Sequence, residues 1–364
     1  MISCLESFDS SSLKSIPPSL VDGQWPTALA PMQDVTSLPF MKVIAKRGAP
    51  DFFFTEFFRV HANSRIDPEI LSAVTENPTD RPVFAQLIGE NISDLRRTVK
   101  DLMAYPVAGI DLNLGCPAPR VFRKNVGGGL LRVPGRVSEI LDMLRVEVDS
   151  LLTVKMRIGF EDDRFFEELL NSINKYEVNL LSLHARTVLG GYRSDPSYSH
   201  VSKAREFVNC PVLLNGNVSS SKSALFLKEQ TGAHGVMVGR SAIRNPWIFR
   251  QIREAQSGVS IFRPTMKDVY QYIIDLYEAL NKPALDEKKC VARMKKFLNF
   301  VGLSVDPDGG FLHEMRRSQN KTELLKVCST YLIDHGNAEK CFSDEPFDGL
   351  VARPSSESKE GCHL

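Results

Sequence analysis

The sequence predicts an α/β protein: a closed (β/α)8 TIM barrel followed by a small C-terminal helical domain. Three observations predict it. Eight short apolar runs recur between residues 27 and 240, each closing on polar or glycine residues. Helix-like segments separate most of them, and strands alternating with helices make a parallel sheet. Past residue 261 only helical periodicity remains. The expected divisions are a flexible tail (1–20), the barrel (21–260), the helical domain (261–340) and a disordered tail (341–364), whose Pro, Ser, Gly and scattered charges give it little to bury.

In order, the strand candidates are "TALAPM" (27–32), "DFFFTEF" (51–57), "VFAQLIG" (83–89), "GIDLNLG" (109–115), "LLTVKMRIG" (151–159), "NLLSLHAR" (179–186), "VLLNGN" (212–217) and "GVMVGR" (235–240). Between them "SDLRRTVKDLMAY" (93–105), "RVSEILDMLRVEV" (136–148) and "SKSALFLKEQTG" (221–232) read as helices, the last ending in a C-cap glycine. Eight such units suit a closed barrel better than an open doubly wound sheet. The open sheet would also want G-x-G-x-x-G after its first strand, and "VGGGLL" (126–131) follows a loop instead. Helices are expected at 266–280, 287–302 and 321–334. The middle one is two-faced, with Val291, Met294, Leu298 and Val301 on one side and Lys288, Lys289, Arg293, Lys295 and Lys296 on the other.

Composition narrows the class. With 45 Lys+Arg against 44 Asp+Glu, any affinity for nucleic acid must come from a local patch. The seven cysteines are scattered without a C-x-x-C pair, which argues against a disulfide framework or a zinc site and for a reducing compartment. The Ser-rich start lacks the apolar core of a secretory signal. No run of about 18 apolar residues occurs, so no membrane span is expected. A cytoplasmic, monomeric protein without a metal is the expectation.

In such a barrel the reactive groups sit where the strands run out. Those ends carry Pro31 and Met32, Gln86, Asn113 with Cys116, Lys155 with Arg157, His184 with Arg186, Asn215 to Asn217, and Gly239 with Arg240. This ring is rich in donors and cations and nearly free of carboxylates, which disfavours a magnesium or glycosidase site and favours an anionic ligand. The loops after strands seven and eight are the usual phosphate site of these barrels, although "NGN" by itself is also a plain turn. Lys155 fits a cation meeting an anion, a lysine paired with a carboxylate, or a Schiff-base amine. His184, Gln86 and Asn113 fit structural roles equally well. Cys116, in a Gly–Cys–Pro turn, is either a packed thiol or one that handles a proton; an ordinary thiol, with pKa about 8.5, is mostly protonated at neutral pH and can donate.

"LAPMQDVTSLPF", "FAQLIG", "IDLNLGCPAPRVFRKNVGGGLL", "VKMRIG", "LHARTVLGGYR", "LLNGNV" and "VMVGRSAIRNPWIF" resemble, in order and spacing, the tRNA-dihydrouridine synthases over roughly residues 27–250, and "ARMKKFL" is similar to that family's tRNA-binding helical extension. The resemblance implies an FMN-dependent reductase that saturates the C5=C6 bond of a tRNA uridine, with NADPH reducing the flavin. Hydride would pass from flavin N5 to C6 and a proton from Cys116 to C5. It implies that Pro31, Met32 and Gln33 lie against the flavin ring, with Gln86 and Lys155 at its polar edge and His184 near the flavin or the target base. Asn215, Gly216, Asn217, Gly239 and Arg240 would hold its phosphate. On the substrate side it implies Asn113, Arg157 and Arg186, with Arg120, Arg123, Lys124, Arg293, Lys295 and Lys296 meeting the tRNA backbone. Val188 and Ser37 depart from the family's usual Lys/Arg and Asp, and Arg193 is the nearest substitute for the missing cation. The competing readings are an FMN barrel reducing a small pyrimidine or enone, a tRNA-binding flavoprotein without turnover, and a Schiff-base aldolase.

Overall fold

The computed structural model describes residues 25–192, 194–281 and 286–346. The expected N-terminal tail, Arg193 and residues 347–364 lie outside them. Strands β1 (Thr27–Leu29), β2 (Phe52–Phe54), β3 (Phe58–Arg59), β4 (Val83–Ile88), β5 (Gly109–Leu114), β6 (Leu151–Arg157), β7 (Leu180–His184), β8 (Val212–Asn215) and β9 (Gly235–Val238) follow the eight expected runs. All pair in parallel, in the order β2-β1-β9-β8-β7-β6-β5-β4-β3, and a further β2–β4 pairing closes the ring. The second barrel strand comes in two pieces, Phe52–Phe54 within the run "DFFFTEF" and Phe58–Arg59 just past its end. The Thr55 hydroxyl, not a backbone carbonyl, accepts the Gln86 amide N–H (3.0 Å), so the ladder breaks there and resumes at Phe58 beside Leu87.

Alternation along each strand separates two cores. Val154, Met156, Leu181, Leu183, Val212 and Leu214 belong to the large core shared with the helices. Ala28, Ala30, Phe52, Phe54, Phe84, Leu180, Leu213 and Met237 form a separate cluster inside the barrel, with the Phe54 and Phe84 rings stacked at 5.1 Å. On β6 the intervening residues Thr153, Lys155 and Arg157 therefore look inward. The interior is thus apolar where the strands begin and polar where they end.

The expected helices are present as Ile92–Leu102, Pro134–Glu147 and Ser221–Thr231, the last capped by Ser220 and ended by left-handed Gly232 (φ 64°). Beyond the barrel come helices Met266–Leu280, Glu287–Val305, Gly310–Arg317 and Lys321–Leu332. Val291, Met294, Leu298 and Val301 are buried as the pattern requires. Their core is continuous with that of the barrel: Phe40 meets Phe297 at 5.4 Å, and Arg47 pairs with Asp275 at 2.7 Å.

Residues 341–346, expected to be disordered, are packed against the rest of the fold. Phe342 is buried, and its N–H donates to the Pro264 carbonyl (2.7 Å). The buried Arg244 guanidinium donates to the carbonyls of Ser343, Asp344 and Glu345, while Ser220 donates to the Glu345 carboxylate (2.7 Å). A buried guanidinium needs several acceptors, and this strap supplies them. Among the described residues no helix is long and apolar enough to cross a membrane.

Candidate active site

Because every strand is parallel, all C-terminal ends open on one rim, and a cavity of about 500 Å³ lies there. Its wall is built from Pro31, Met32 and Gln33 after β1, Asn113 and Cys116 on and after β5, and Lys155 and Arg157 on β6. His184 on β7, Asn215, Gly216 and Asn217 at the end of β8, and Gly239 and Arg240 after β9 complete it. The resemblance had placed all of these at one site, and the fold brings them together.

Cys116 stands in a turn that leaves β5 under tight control. The Asn113 side-chain oxygen accepts the N–H groups of both Gly115 and Cys116 (3.0 Å each). The glycines of "VGGGLL" close over this turn. Gly127 has φ 57°, and a Cβ there would sit 3.1 Å from the Cys116 Cβ; one on Gly128 would meet the Cys116 carbonyl oxygen at 2.8 Å. A left-handed φ and this close approach admit glycine. Cys116 is a free thiol, partly exposed, lining the cavity beside Phe57, Ile88 and Val121.

The wall beside this turn is cationic. Lys155 makes no hydrogen bond among the described residues, and burial, reinforced by nearby Arg157, pulls its ammonium down to about 8. His184 is driven well below the ordinary imidazole value by burial and then by Arg157, Lys155, Arg186 and Arg240, so it is neutral at pH 7. Its Nδ1 and the Gln33 side-chain oxygen are buried without a partner. Such orphans are rare in proteins, and both belong to residues of the cavity wall.

Several expected contacts are placed elsewhere. Gln86 has no exposed surface and does not line the cavity; its amide is used by Asp111 (2.6 Å) and Asn113 (2.8 Å). Arg186 also lies behind the wall, donating to the Ser194 carbonyl (2.5 Å) and the Asn217 side chain (3.2 Å). Arg157 is on the wall but clamps loops, through Gly115 (3.0 Å), Thr187 and Gly191 (2.9 Å each). Of the helical cations, Arg293 pairs with Glu69 (3.4 Å), Lys296 with Asp34 (3.3 Å), and Lys295 donates to the Arg316 carbonyl (2.8 Å). They tie the helix to the barrel rim and its neighbour. Arg120, Arg123 and Lys124 are exposed beside the Cys116 turn, with no side-chain partner among the described residues.

Three contributors had not been singled out. Tyr192 lies at the mouth with Arg240 over its ring at 4.3 Å and His184 edge-on at 6.2 Å. Phe300 reaches the cavity from helix Glu287–Val305. Asp111, fully buried below Asn113, is held up at about 6 by burial against the hydrogen bonds that lower it. Only Asp111 left a legible sign, since in "DLN" it shares its strand face with Asn113.

Residues 28–330 match the family model described as Dihydrouridine synthase (Dus). A protein of Neisseria meningitidis serogroup A called tRNA-dihydrouridine(16) synthase is 28% identical over 312 residues, covering 83% of this chain and 93% of that protein. One from Helicobacter pylori strain J99, a probable tRNA-dihydrouridine synthase, is 33% identical over 228 residues, 62% of this chain and 69% of that protein. Bacillus subtilis has a probable tRNA-dihydrouridine synthase 2 that is 28% identical over 275 residues, 74% and 83% of the two chains.

Proposed function

The chain belongs to the dihydrouridine synthase family, and from that premise we propose that it reduces one uridine of tRNA to dihydrouridine, using FMN held in the cavity and NADPH as reductant. The observation that carries this reading is a partly exposed thiol and a cation-rich wall sharing one cavity at the strand ends.

The residues present fit the cofactor. Gly216 (φ 118°) and Asn217 (φ 52°) turn the backbone after β8 into left-handed conformations that bring amides close to a ligand, and Arg240 adds fixed charge for a phosphate. The orphaned Gln33 oxygen and His184 nitrogen fit the polar rim of a flavin ring, and Pro31 and Met32 offer it an apolar face. Lys155 brings a cation to the edge where negative charge collects on reduction. When bound, the flavin supplies the hydride that saturates C6 of the uracil. Cys116 then gives its proton to C5, and water at the open mouth restores it. Arg157 acts by fixing the loops around the pyrimidine, and Asn113 by fixing the turn that carries the thiol. A base stacked within tRNA must be turned out to reach this depth, at a cost of a few kcal/mol that backbone contacts offset.

Those contacts are assigned first to Arg120, Arg123 and Lys124, the unpaired cations beside the thiol. Replacing all three by alanine is expected to reduce the slope of log K against log[salt] for tRNA binding by about two, at 0.7–0.9 per phosphate contact. Lys295→Ala/Lys296→Ala is expected to change it less. The reverse order in a salt titration returns the tRNA-facing role to the helix.

The reading is tested by mass analysis of the small molecule released on denaturation and of nucleosides from tRNA of cells lacking the protein. FMN in the first and loss of dihydrouridine at one position in the second, restored by re-expression, are the expected results. A flavin-free protein with tRNA unchanged in its absence overturns it, and a flavoprotein that reduces free pyrimidines but not tRNA moves the substrate to small molecules.

A further inference from the structure

Asp111 is a fully buried carboxylate that the reaction outlined above leaves unused. It sits in a single register layer across three strands, Gln86 of β4 opposite Asp111 and Asp111 opposite Thr153 of β6. Thr153 Oγ1 donates to Asp111 Oδ1 (2.6 Å), and Gln86 Nε2 donates to Oδ2 (2.6 Å). Asn113 Nδ2 donates to Gln86 Oε1 (2.8 Å), and Asn113 Oδ1 accepts from the Gly115 and Cys116 amides. Gln86 and Asp111 are wholly buried, and Asn113 nearly so.

The two ends of this chain have fixed polarity. A carboxylate only accepts and a backbone N–H only donates, whereas a carboxamide can be turned either way round. With an acceptor at one end and donors at the other, two carboxamides in series have one consistent orientation. From this polarity argument we propose that Asp111 is a positioning residue for Cys116: the acceptor oxygen it presents fixes the Gln86 amide, which fixes that of Asn113, which holds the turn presenting the thiol. The proposal rests on Cys116 being the proton donor, but its structural half can be read without turnover.

Asn113→Asp puts acceptors at both ends of Gln86, whose amide can then satisfy only one of them. Adding Asp111→Asn reverses the chain, so that Asn at 111 donates to Gln86 and Gln86 donates to Asp at 113. Asp111→Asn alone keeps the original direction, because Thr153 can accept as well as donate. In Asn113→Asp alone, protonation of Asp111 supplies the missing donor. Its titration is governed by burial, by Gln86 on β4 and by Thr153 and Lys155 on β6. Lower pH should therefore relieve that variant and not the double one.

The test is amide hydrogen exchange at Gly115 and Cys116 in the full-length protein, with Tm and dihydrouridine formation on tRNA measured alongside. Gln86→Met, which removes the link without adding charge, is expected to speed exchange at both amides by roughly tenfold or more, and Asp111→Asn to leave it nearly unchanged. An aspartate at 113 keeps an oxygen for both amides whichever way it turns, so the charge variants are read by Tm: Asn113→Asp is expected to lower it and the double variant to restore most of the loss. Gln86→Met with unaltered exchange, or a double variant with a Tm no higher than that of Asn113→Asp, overturns the relay. If exchange follows the expected order while Cys116→Ala makes product at the wild-type rate, the relay stands and the proton-donor reading fails.

Discussion

Cys116→Ala is expected to abolish most dihydrouridine formation, by roughly 10²–10⁴ in rate, the range a positioned general acid contributes. FMN content and the oxidation of NADPH should stay at their wild-type levels. The split follows from position. Cys116 belongs to the turn after β5, whereas the proposed phosphate loops follow β8 and β9, so loss of the sulfur leaves that cradle untouched. The turn's own hydrogen bonds run from backbone N–H groups to Asn113, so they too survive the substitution. Cys116→Ser is expected to remain impaired, because a hydroxyl is a much weaker acid than a thiol. Rapid mixing of the pre-reduced enzyme with tRNA, followed by nucleoside analysis, measures the step directly. Product at the wild-type rate from Cys116→Ala would remove the thiol from the reaction.

How much of this was legible in the sequence depends on the length scale of each signal. The barrel was legible because alternation within a strand and spacing between strands are local, and each of the eight expected runs became a barrel strand. The rim residues followed, since parallel strands place all their C-terminal ends together. The break at Thr55 was not legible, because a hydroxyl that replaces a ladder carbonyl looks like any strand threonine.

Pairing between distant segments was the larger blind spot. Lys296 and Arg293 sit on the polar face of an amphipathic helix, and nothing nearby in the chain reveals Asp34 or Glu69 as their partners. Gln86 and Arg186 read as rim groups because strand phase fixes direction but not depth. The strap at 341–346 has no periodicity to read, and its order comes from Arg244, about a hundred residues earlier. Tyr192 follows two glycines in a loop, where composition suggests only a turn.

Lys155→Met is expected to make the flavin-free protein more stable and the enzyme far worse. Burial lowers the Lys155 pKa from 10.5 to about 8, so at pH 7 the folded protein carries a charge that the unfolded chain would carry at less cost. The difference amounts to about 3 kcal/mol at 1.36 kcal/mol per pKa unit. The sign follows from proton counting. Below pH 8 both states are protonated and the cost is present in full. Between pH 8 and 10.5 the unfolded chain holds the proton and the folded one does not, so wild-type stability rises with pH and the variant's advantage shrinks. Methionine fills similar volume with no charge to desolvate. Thermal unfolding of the flavin-free proteins at pH 7 and pH 10 should therefore show a higher Tm for the variant at the first pH and a smaller gap at the second. If FMN sits as proposed, the same substitution removes the cation assigned to face the charge of the reduced ring, and flavin reduction by NADPH should slow by about 10², as when one fixed electrostatic group is removed. A variant that loses stability at pH 7 would show that Lys155 is held by a structural partner, and one that keeps its rate of flavin reduction would show that the cation does not face the ring.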